Sequence, residues 1–115
     1  MLGMHNITEM DVQELNELLN TSSTAESLSK FKFLDVRTPA EVARGKIAGC
    51  ENIPLHLIPL KVAEFEADEK IIIYCQTGAR SAQACAFLAS KGIENAINVR
   101  GGIVAWAQMG FAISA

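Results

Sequence analysis

Cys75 is the residue of this sequence best placed to do chemistry, because it follows an apolar segment and precedes a helix-forming one. Residues 71–74 favour a buried strand, and residues 82–89 favour a helix. A loop between a strand and a helix N-terminus presents backbone N–H groups in one direction, and these groups favour an anion together with the helix dipole. We therefore predict that the Cys75 thiol ionises below the pKa of about 8.5 of a free cysteine.

The loop that follows Cys75 contains residues suited to a tight turn. Gly78 can adopt backbone angles that are closed to other residues. Ser81 is a favoured N-cap residue, and we expect it to cap the helix at residues 82–89. The pattern predicts a concave loop of backbone donors around a single anionic sulfur atom.

Predicted strands and helices alternate along the rest of the chain. A helix over residues 9–19, capped by Thr8, follows a short extended entry. The further predicted strands cover residues 31–36, 50–53, 71–74 and 96–99, and the further helices cover residues 40–44, 57–65, 82–89 and 103–108. This alternation predicts a parallel sheet with helices on both faces. Ligands of such sheets bind at the carboxyl ends of the strands, where Cys75 lies.

Length, charge and cysteine spacing restrict the function. A chain of 115 residues has room for one domain, residues 1–115. A net charge of −3 gives no general attraction to nucleic acid or acidic membranes, and no apolar run is long enough for a membrane helix. The three cysteines have no metal-ligand spacing, so we predict no metal, no cofactor and a reducing, cytoplasmic location. An export signal that has been removed stays an open alternative.

Four blocks of the sequence stand in an order and at spacings that can be compared with known families. They are residues 34–37 (LDVR) with Glu41, residues 45–54 (GKIAGCENIP), residues 74–81 (YCQTGARS), and residues 101–102 (GG) with Trp106. In these blocks the chain resembles a single-domain rhodanese, a sulfurtransferase, from about residue 7 to residue 109. The resemblance implies an α/β fold of three layers, in which helices cover both faces of a mainly parallel, five-stranded sheet.

The same resemblance implies a reaction and a set of site residues. Cys75 would be the nucleophile that takes sulfane sulfur from thiosulfate or another donor as a persulfide. It would pass that sulfur to cyanide or to a thiol, either small or on a protein. Arg80 would bind an oxyanion of the donor with its guanidinium. The implied substrate-binding residues are Gln76, Thr77, Gly78, Ala79 and Arg80. The implied structural residues are Asp35, Arg37, Glu41 and Ser81.

Several side chains around these blocks are expected to be structural. We expect an ion pair between Arg37 and Glu41 across the turn at Pro39, and core packing for Trp106. We also expect Cys85 to pack inside its helix. Cys50 stands where the family usually has a small residue, which favours packing. The alternative, that Cys50 approaches Cys75 as a resolving thiol, stays open.

Three other functions are compatible with a reactive loop cysteine. Cysteine phosphatases and arsenate reductases have five residues between cysteine and arginine, whereas only four separate Cys75 from Arg80. The shorter loop suits a single sulfur atom better than a phosphoryl group. A rhodanese module that only binds a partner is a second alternative. Many relatives lose the cysteine and keep the fold, but this chain retains the cysteine together with the glycine and the arginine. A persulfide carrier for one specific protein partner would keep the same chemistry.

Overall fold

The computed structural model describes residues 7–21, 31–65 and 69–115. Its strands are β1 (Thr8–Met10), β2 (Phe31–Asp35), β3 (Glu51–Asn52), β4 (Lys70–Tyr74) and β5 (Ala96–Val99). Its α-helices are α1 (Val12–Thr21), α2 (Pro39–Ala43), α3 (Ala79–Ser90) and α4 (Gly102–Gln108), and a 3-10 helix covers Leu55–Glu64.

The five strands form one sheet in the order β1-β5-β4-β2-β3, and every neighbouring pair is parallel. Strand β4 lies at the centre, where Ile73 pairs with Leu34 of β2 and with Asn98 of β5. The predicted five-stranded parallel sheet is confirmed. The carboxyl end of its central strand leads directly into Cys75.

Both faces of the sheet are covered, as the apolar run of β4 predicts. Alternate residues of a strand point to opposite faces, so Ile71, Ile73 and Cys75 belong to one buried cluster. Ile72 and Tyr74 belong to the other cluster. The first cluster packs on α3 and the 3-10 helix, and the second packs on α1 and α4.

The predicted start of the first helix is wrong. The sequence pattern predicts helix from residue 9 with Thr8 as its cap, but Thr8–Met10 is strand β1 and pairs with Ile97–Val99. The cap is Asp11, whose carboxylate accepts the backbone N–H of Glu14 at 2.8 Å, while the Glu14 carboxylate accepts the N–H of Asp11 at 3.2 Å. This capping box starts the helix at Val12. Backbone pairing with β5 outweighs the local helix preference before it.

The predicted cap of the helix after Cys75 is also wrong. Helix α3 begins at Ala79, and its N-cap is Gly78 with φ of +103°. Ser81 therefore lies inside the first turn of α3 and is fully buried. The left-handed backbone at Gly78 turns the chain into the helix earlier than a serine cap would.

Within the part of the chain that the structure describes, no helix is both long and apolar enough to span a bilayer. The cytoplasmic location stays a prediction.

Candidate active site

The sulfur atom of Cys75 is surrounded by hydrogen-bond donors from the loop and the first turn of α3. Its Sγ accepts the backbone N–H of Gly78 at 3.1 Å and that of Ser81 at 3.4 Å. The Ser81 Oγ lies 3.3 Å from the same sulfur. Cys75 is only 1% exposed, so these donors, rather than water, determine the state of the thiol.

Burial and hydrogen bonding act in opposite directions on the Cys75 thiol. Burial raises its pKa, because a charged sulfur loses hydration. The hydroxyl and the backbone N–H of Ser81 and the N–H groups of Gly78 and Thr77 lower the pKa by stabilising the thiolate. The hydrogen bonds outweigh burial, and the pKa of Cys75 lies below its ordinary value.

Helix α4 fixes the direction of the loop backbone. The N–H of Ile103 donates to the Cys75 carbonyl at 3.0 Å, and the N–H of Val104 donates to the Gln76 carbonyl at 3.1 Å. These bonds satisfy amides that the first turn of a helix leaves unpaired. At Gly102, with φ of +58°, a Cβ would come within 2.4 Å of the Cys75 carbonyl oxygen. Only glycine therefore allows α4 to approach the loop this closely.

Arg80 binds Glu41 with both terminal nitrogens. The two hydrogen bonds are 2.7 and 2.8 Å long, and they join the start of α3 to helix α2. Arg80 lowers the pKa of Glu41 to about 2, and the backbone N–H of Thr38 contributes to the same shift. Glu41 also completes a capping box with Thr38 at the start of α2.

The expected ion pair between Arg37 and Glu41 is wrong. Arg37 instead pairs with Asp35 at 2.7 Å, and both residues are buried. Its remaining donors bind the backbone carbonyls of Glu41 and Gly45 and, at 3.3 Å, the Gln76 side chain. Arg37 thus connects the end of β2 to the loop that follows Cys75. Glu41 is left to pair with Arg80, a partner that a linear sequence does not indicate.

The structure brings most of the predicted site residues together around one loop. Gly78, Thr77 and Ser81 surround the sulfur, and Arg80 and Gln76 form side-chain contacts beside it. The sequence does not predict two features of this site. They are the direct contact of the Ser81 hydroxyl with the sulfur and the buried Asn98, which binds that hydroxyl. Asn98 is the one polar side chain that strand β5 buries between apolar neighbours, and this pattern could have indicated it.

A cavity of about 450 Å³ opens beside the loop. Its charged wall includes Arg37 and Arg44, and its apolar wall includes Ile103 and Val104 of α4. Gln76 is the loop residue that lines it. The cavity is therefore lined by the residue that follows Cys75, while the Cys75 side chain itself is buried.

The other two cysteines are placed differently from Cys75. Cys50 packs with the cluster on the opposite face of the sheet, where its sulfur accepts the Tyr74 hydroxyl at 3.4 Å. Cys85 is buried in α3, and burial raises its pKa to about 12. Among the described residues, no group of three His, Cys, Asp or Glu side chains is arranged to hold a metal ion.

Comparison with known proteins finds a family model and relatives that match most of this chain. The family model described as "Rhodanese-like domain" matches residues 11–109. A sulfurtransferase of Allochromatium vinosum is 42% identical over 109 residues, which cover 95% of this chain and 96% of the relative. Thiosulfate sulfurtransferase 16, chloroplastic, of Arabidopsis thaliana is 30% identical, with 72% of this chain and 79% of the relative covered.

A solved structure shows the same fold. The crystal structure of a rhodanese-related protein from Thermoplasma volcanium superposes with a TM-score of 0.75 at 32% identity. The match covers 93% of this chain and 97% of that protein. With its parallel sheet and the loop that surrounds the Cys75 sulfur, the chain belongs to the rhodanese-like family of sulfurtransferases.

Proposed function

We propose that the protein transfers sulfane sulfur through a persulfide on Cys75. The observation that carries this proposal is the convergence of the Gly78 and Ser81 donors on one sulfur atom. Attack on a sulfane sulfur requires a thiolate, and these donors lower the pKa of Cys75. With thiosulfate, the thiolate would form a new S–S bond while the S–S bond of the donor breaks and sulfite leaves.

The second half of the reaction regenerates the thiolate. A thiol or cyanide acceptor attacks the outer sulfur of the persulfide, and the Cys75 S–S bond breaks. We assign the backbone N–H groups of Gln76, Thr77, Gly78, Ala79 and Arg80 to the outer sulfur in the loaded state. The sulfur donor, such as thiosulfate, and the thiol acceptor, on a small molecule or a protein, are the partners that this chemistry requires.

Arg80 has a role in this proposal that its pair with Glu41 does not prevent. The guanidinium has five N–H hydrogens, and Glu41 uses one from each terminal nitrogen. The remaining hydrogens can bind an oxyanion of the donor. Glu41 would then hold the guanidinium in place at the rim of the loop.

Steady-state turnover tests the proposal. With thiosulfate and cyanide, the wild-type protein is expected to form thiocyanate, and Cys75→Ser is expected to form none. Cys50→Ser is the matched control, expected to retain turnover because Cys50 packs on the opposite face of the sheet. Retained turnover in Cys75→Ser would refute the role of Cys75.

The alternatives are distinguished by measuring persulfide formation and the turnover of aryl phosphates or arsenate as well. A carrier for one specific protein partner would form the persulfide but turn over thiosulfate and cyanide weakly. A cysteine phosphatase or arsenate reductase would act on aryl phosphates or arsenate without forming a persulfide. The length of the loop argues against the phosphatase, because only four residues separate Cys75 from Arg80 and the shorter loop suits a single sulfur atom better than a phosphoryl group.

A further inference from the structure

Three polar side chains connect the Cys75 sulfur to the edge of the sheet. The Ser81 Oγ lies 3.3 Å from the sulfur and 2.5 Å from the Asn98 Oδ1. The Asn98 Nδ2 then donates to the Glu9 carboxylate at 2.9 Å. Ser81 and Asn98 are at most 1% exposed, so water does not compete for their hydrogen bonds.

The partners of Asn98 determine which way its amide points. The Glu9 carboxylate and the Gly78 carbonyl, at 3.3 Å, are both acceptors and both face Nδ2. The donor side of the amide must therefore face them. Its carbonyl oxygen, Oδ1, consequently faces the Ser81 hydroxyl and can only accept a hydrogen bond from it.

The Ser81 hydroxyl has two acceptors but only one hydrogen. When it donates to Asn98, a lone pair faces the Cys75 sulfur, an arrangement that suits a thiol S–H. When Cys75 is ionised, the hydroxyl must turn to the sulfur to stabilise the charge, and the buried Asn98 Oδ1 loses its donor. We propose that Asn98 is a positioning residue that competes for the Ser81 proton and so favours the thiol form of Cys75.

The outer contacts of Asn98 are replaceable, which makes this role testable. The Gly78 carbonyl also accepts the N–H of Ala82 at 3.1 Å within α3. Glu9 also pairs with Arg100 at 3.6 Å. Removal of the Asn98 amide therefore leaves both groups with another partner, and the main change falls on Ser81.

The competition would tune the reactivity of the sulfur. A thiolate becomes less nucleophilic as its pKa falls, so an attacking thiol is best when its pKa is near the ambient pH. Among the described residues, the charged pairs around the loop are Arg80–Glu41, Arg37–Asp35 and Arg100–Glu9, and Arg44 lines the cavity beside it. Of these groups only Glu9 contacts Asn98, and its pair with Arg100 does not involve the amide. Asn98 would keep the loop donors from lowering the pKa of Cys75 too far.

Titration of the thiolate in the full chain tests this role. The ultraviolet absorbance of the thiolate is followed against pH in wild type, Asn98→Leu, Ser81→Ala and the double variant, and Cys75→Ser identifies the step of Cys75. We expect Asn98→Leu to move that step to lower pH and Ser81→Ala to move it to higher pH. At a pH below the wild-type midpoint, the thiolate fraction of Cys75 should rise roughly tenfold in Asn98→Leu and fall roughly tenfold in Ser81→Ala. This is the size expected for one hydrogen bond to a charged group.

The double variant distinguishes competition from simple support of the loop. If Asn98 acts through the Ser81 proton, the double variant titrates like Ser81→Ala. If Asn98 only supported the loop, its removal would weaken the hydrogen bonds from the loop donors to the Cys75 sulfur. The titration step would then move to higher pH. That result, an unmoved step, or a persistent effect of Asn98→Leu without Ser81 would overturn the proposal.

A second variant covers the case in which leucine is not tolerated. Asn98→Val also removes the amide, and its β-branched side chain suits a strand such as β5. The same shift to lower pH is expected. The role of Asn98 matters for catalysis only if the proposed sulfur transfer is right, but the titration uses no sulfur donor. A shifted titration without persulfide formation would therefore contradict the proposed function and leave the role of Asn98 intact.

Discussion

The Cys75 sulfur is almost completely buried and yet has a lowered pKa. An apolar pocket alone would have the opposite effect, as Cys85 shows, where burial without comparable donors raises the pKa to about 12. The difference between the two cysteines comes from the N–H and O–H groups of Gly78 and Ser81. The lowered pKa of Cys75 is therefore a property of the loop donors rather than of exposure.

Glu41 is a residue whose charge should affect stability in acid. Its pKa in the folded protein is about 2, below the ordinary value of 4.5, because Arg80 and Thr38 donate to the carboxylate. The stability that the carboxylate contributes is complete above about pH 4.5 and is lost as the pH falls towards 2. We predict that Glu41→Gln flattens this part of the pH dependence, measured by urea unfolding.

The exposure of the Arg80 and Glu41 side chains limits the size of that effect. About a third of each side chain is exposed, so the loss should stay below ~1 kcal/mol. Arg80→Gln should flatten the same pH range, and the double variant should add little to either single one. A Glu41→Gln variant with the full acid dependence of the wild type would contradict the assignment.

At the scale of elements, the approach of α4 to the loop after β4 depends on Gly102. A Cβ at this position would lie 2.4 Å from the Cys75 carbonyl oxygen and 2.5 Å from that of Gln76. We predict that Gly102→Ala lowers the free energy of unfolding and displaces the loop, because backbone atoms cannot move aside as a flexible side chain can. Urea unfolding and the pH titration of the Cys75 thiolate measure the two effects.

Gly92 provides the matched control for this substitution. Its φ is +85°, also in the left-handed region, but a Cβ would have nothing within 4 Å. Gly92→Ala should cost only the backbone strain of about 1–2 kcal/mol. Gly102→Ala should cost about 1–3 kcal/mol more, through overpacking against the two carbonyl oxygens. Equal losses in the two variants would show that α4 can move away from the loop.

Sequence patterns identify the elements better than the contacts between them. The strand of the site is predicted by the apolar run before Cys75, the turn by Gly78, and the helix by the helix-forming run after Gly78. The partner of Glu41 is not predictable, because Arg80 becomes its neighbour only when α2 and α3 meet. Strand β1 is missed for a similar reason, since Thr8–Met10 becomes a strand by pairing with β5, far along the chain.

At the scale of the whole molecule, β4 joins the two buried clusters. Ile72 is fully buried in the centre of the sheet, on the face opposite to Cys75. We predict that Ile72→Ala lowers the free energy of unfolding by about 2–5 kcal/mol, the usual cost of such a cavity. Leu60→Ala is the control, because Leu60 is 76% exposed and its loss should change stability by less than ~0.5 kcal/mol. Similar losses in urea unfolding would contradict this description of the core.

The mass of the intact, reduced protein after incubation with thiosulfate tests persulfide formation on Cys75 most directly. We predict a gain of one sulfur atom, ~32 Da, which cyanide removes and which Cys75→Ser lacks. Cys50→Ser and Cys85→Ala should gain the same mass as the wild type. No gain in the folded wild-type protein, or the same gain in Cys75→Ser, would contradict sulfur transfer through Cys75.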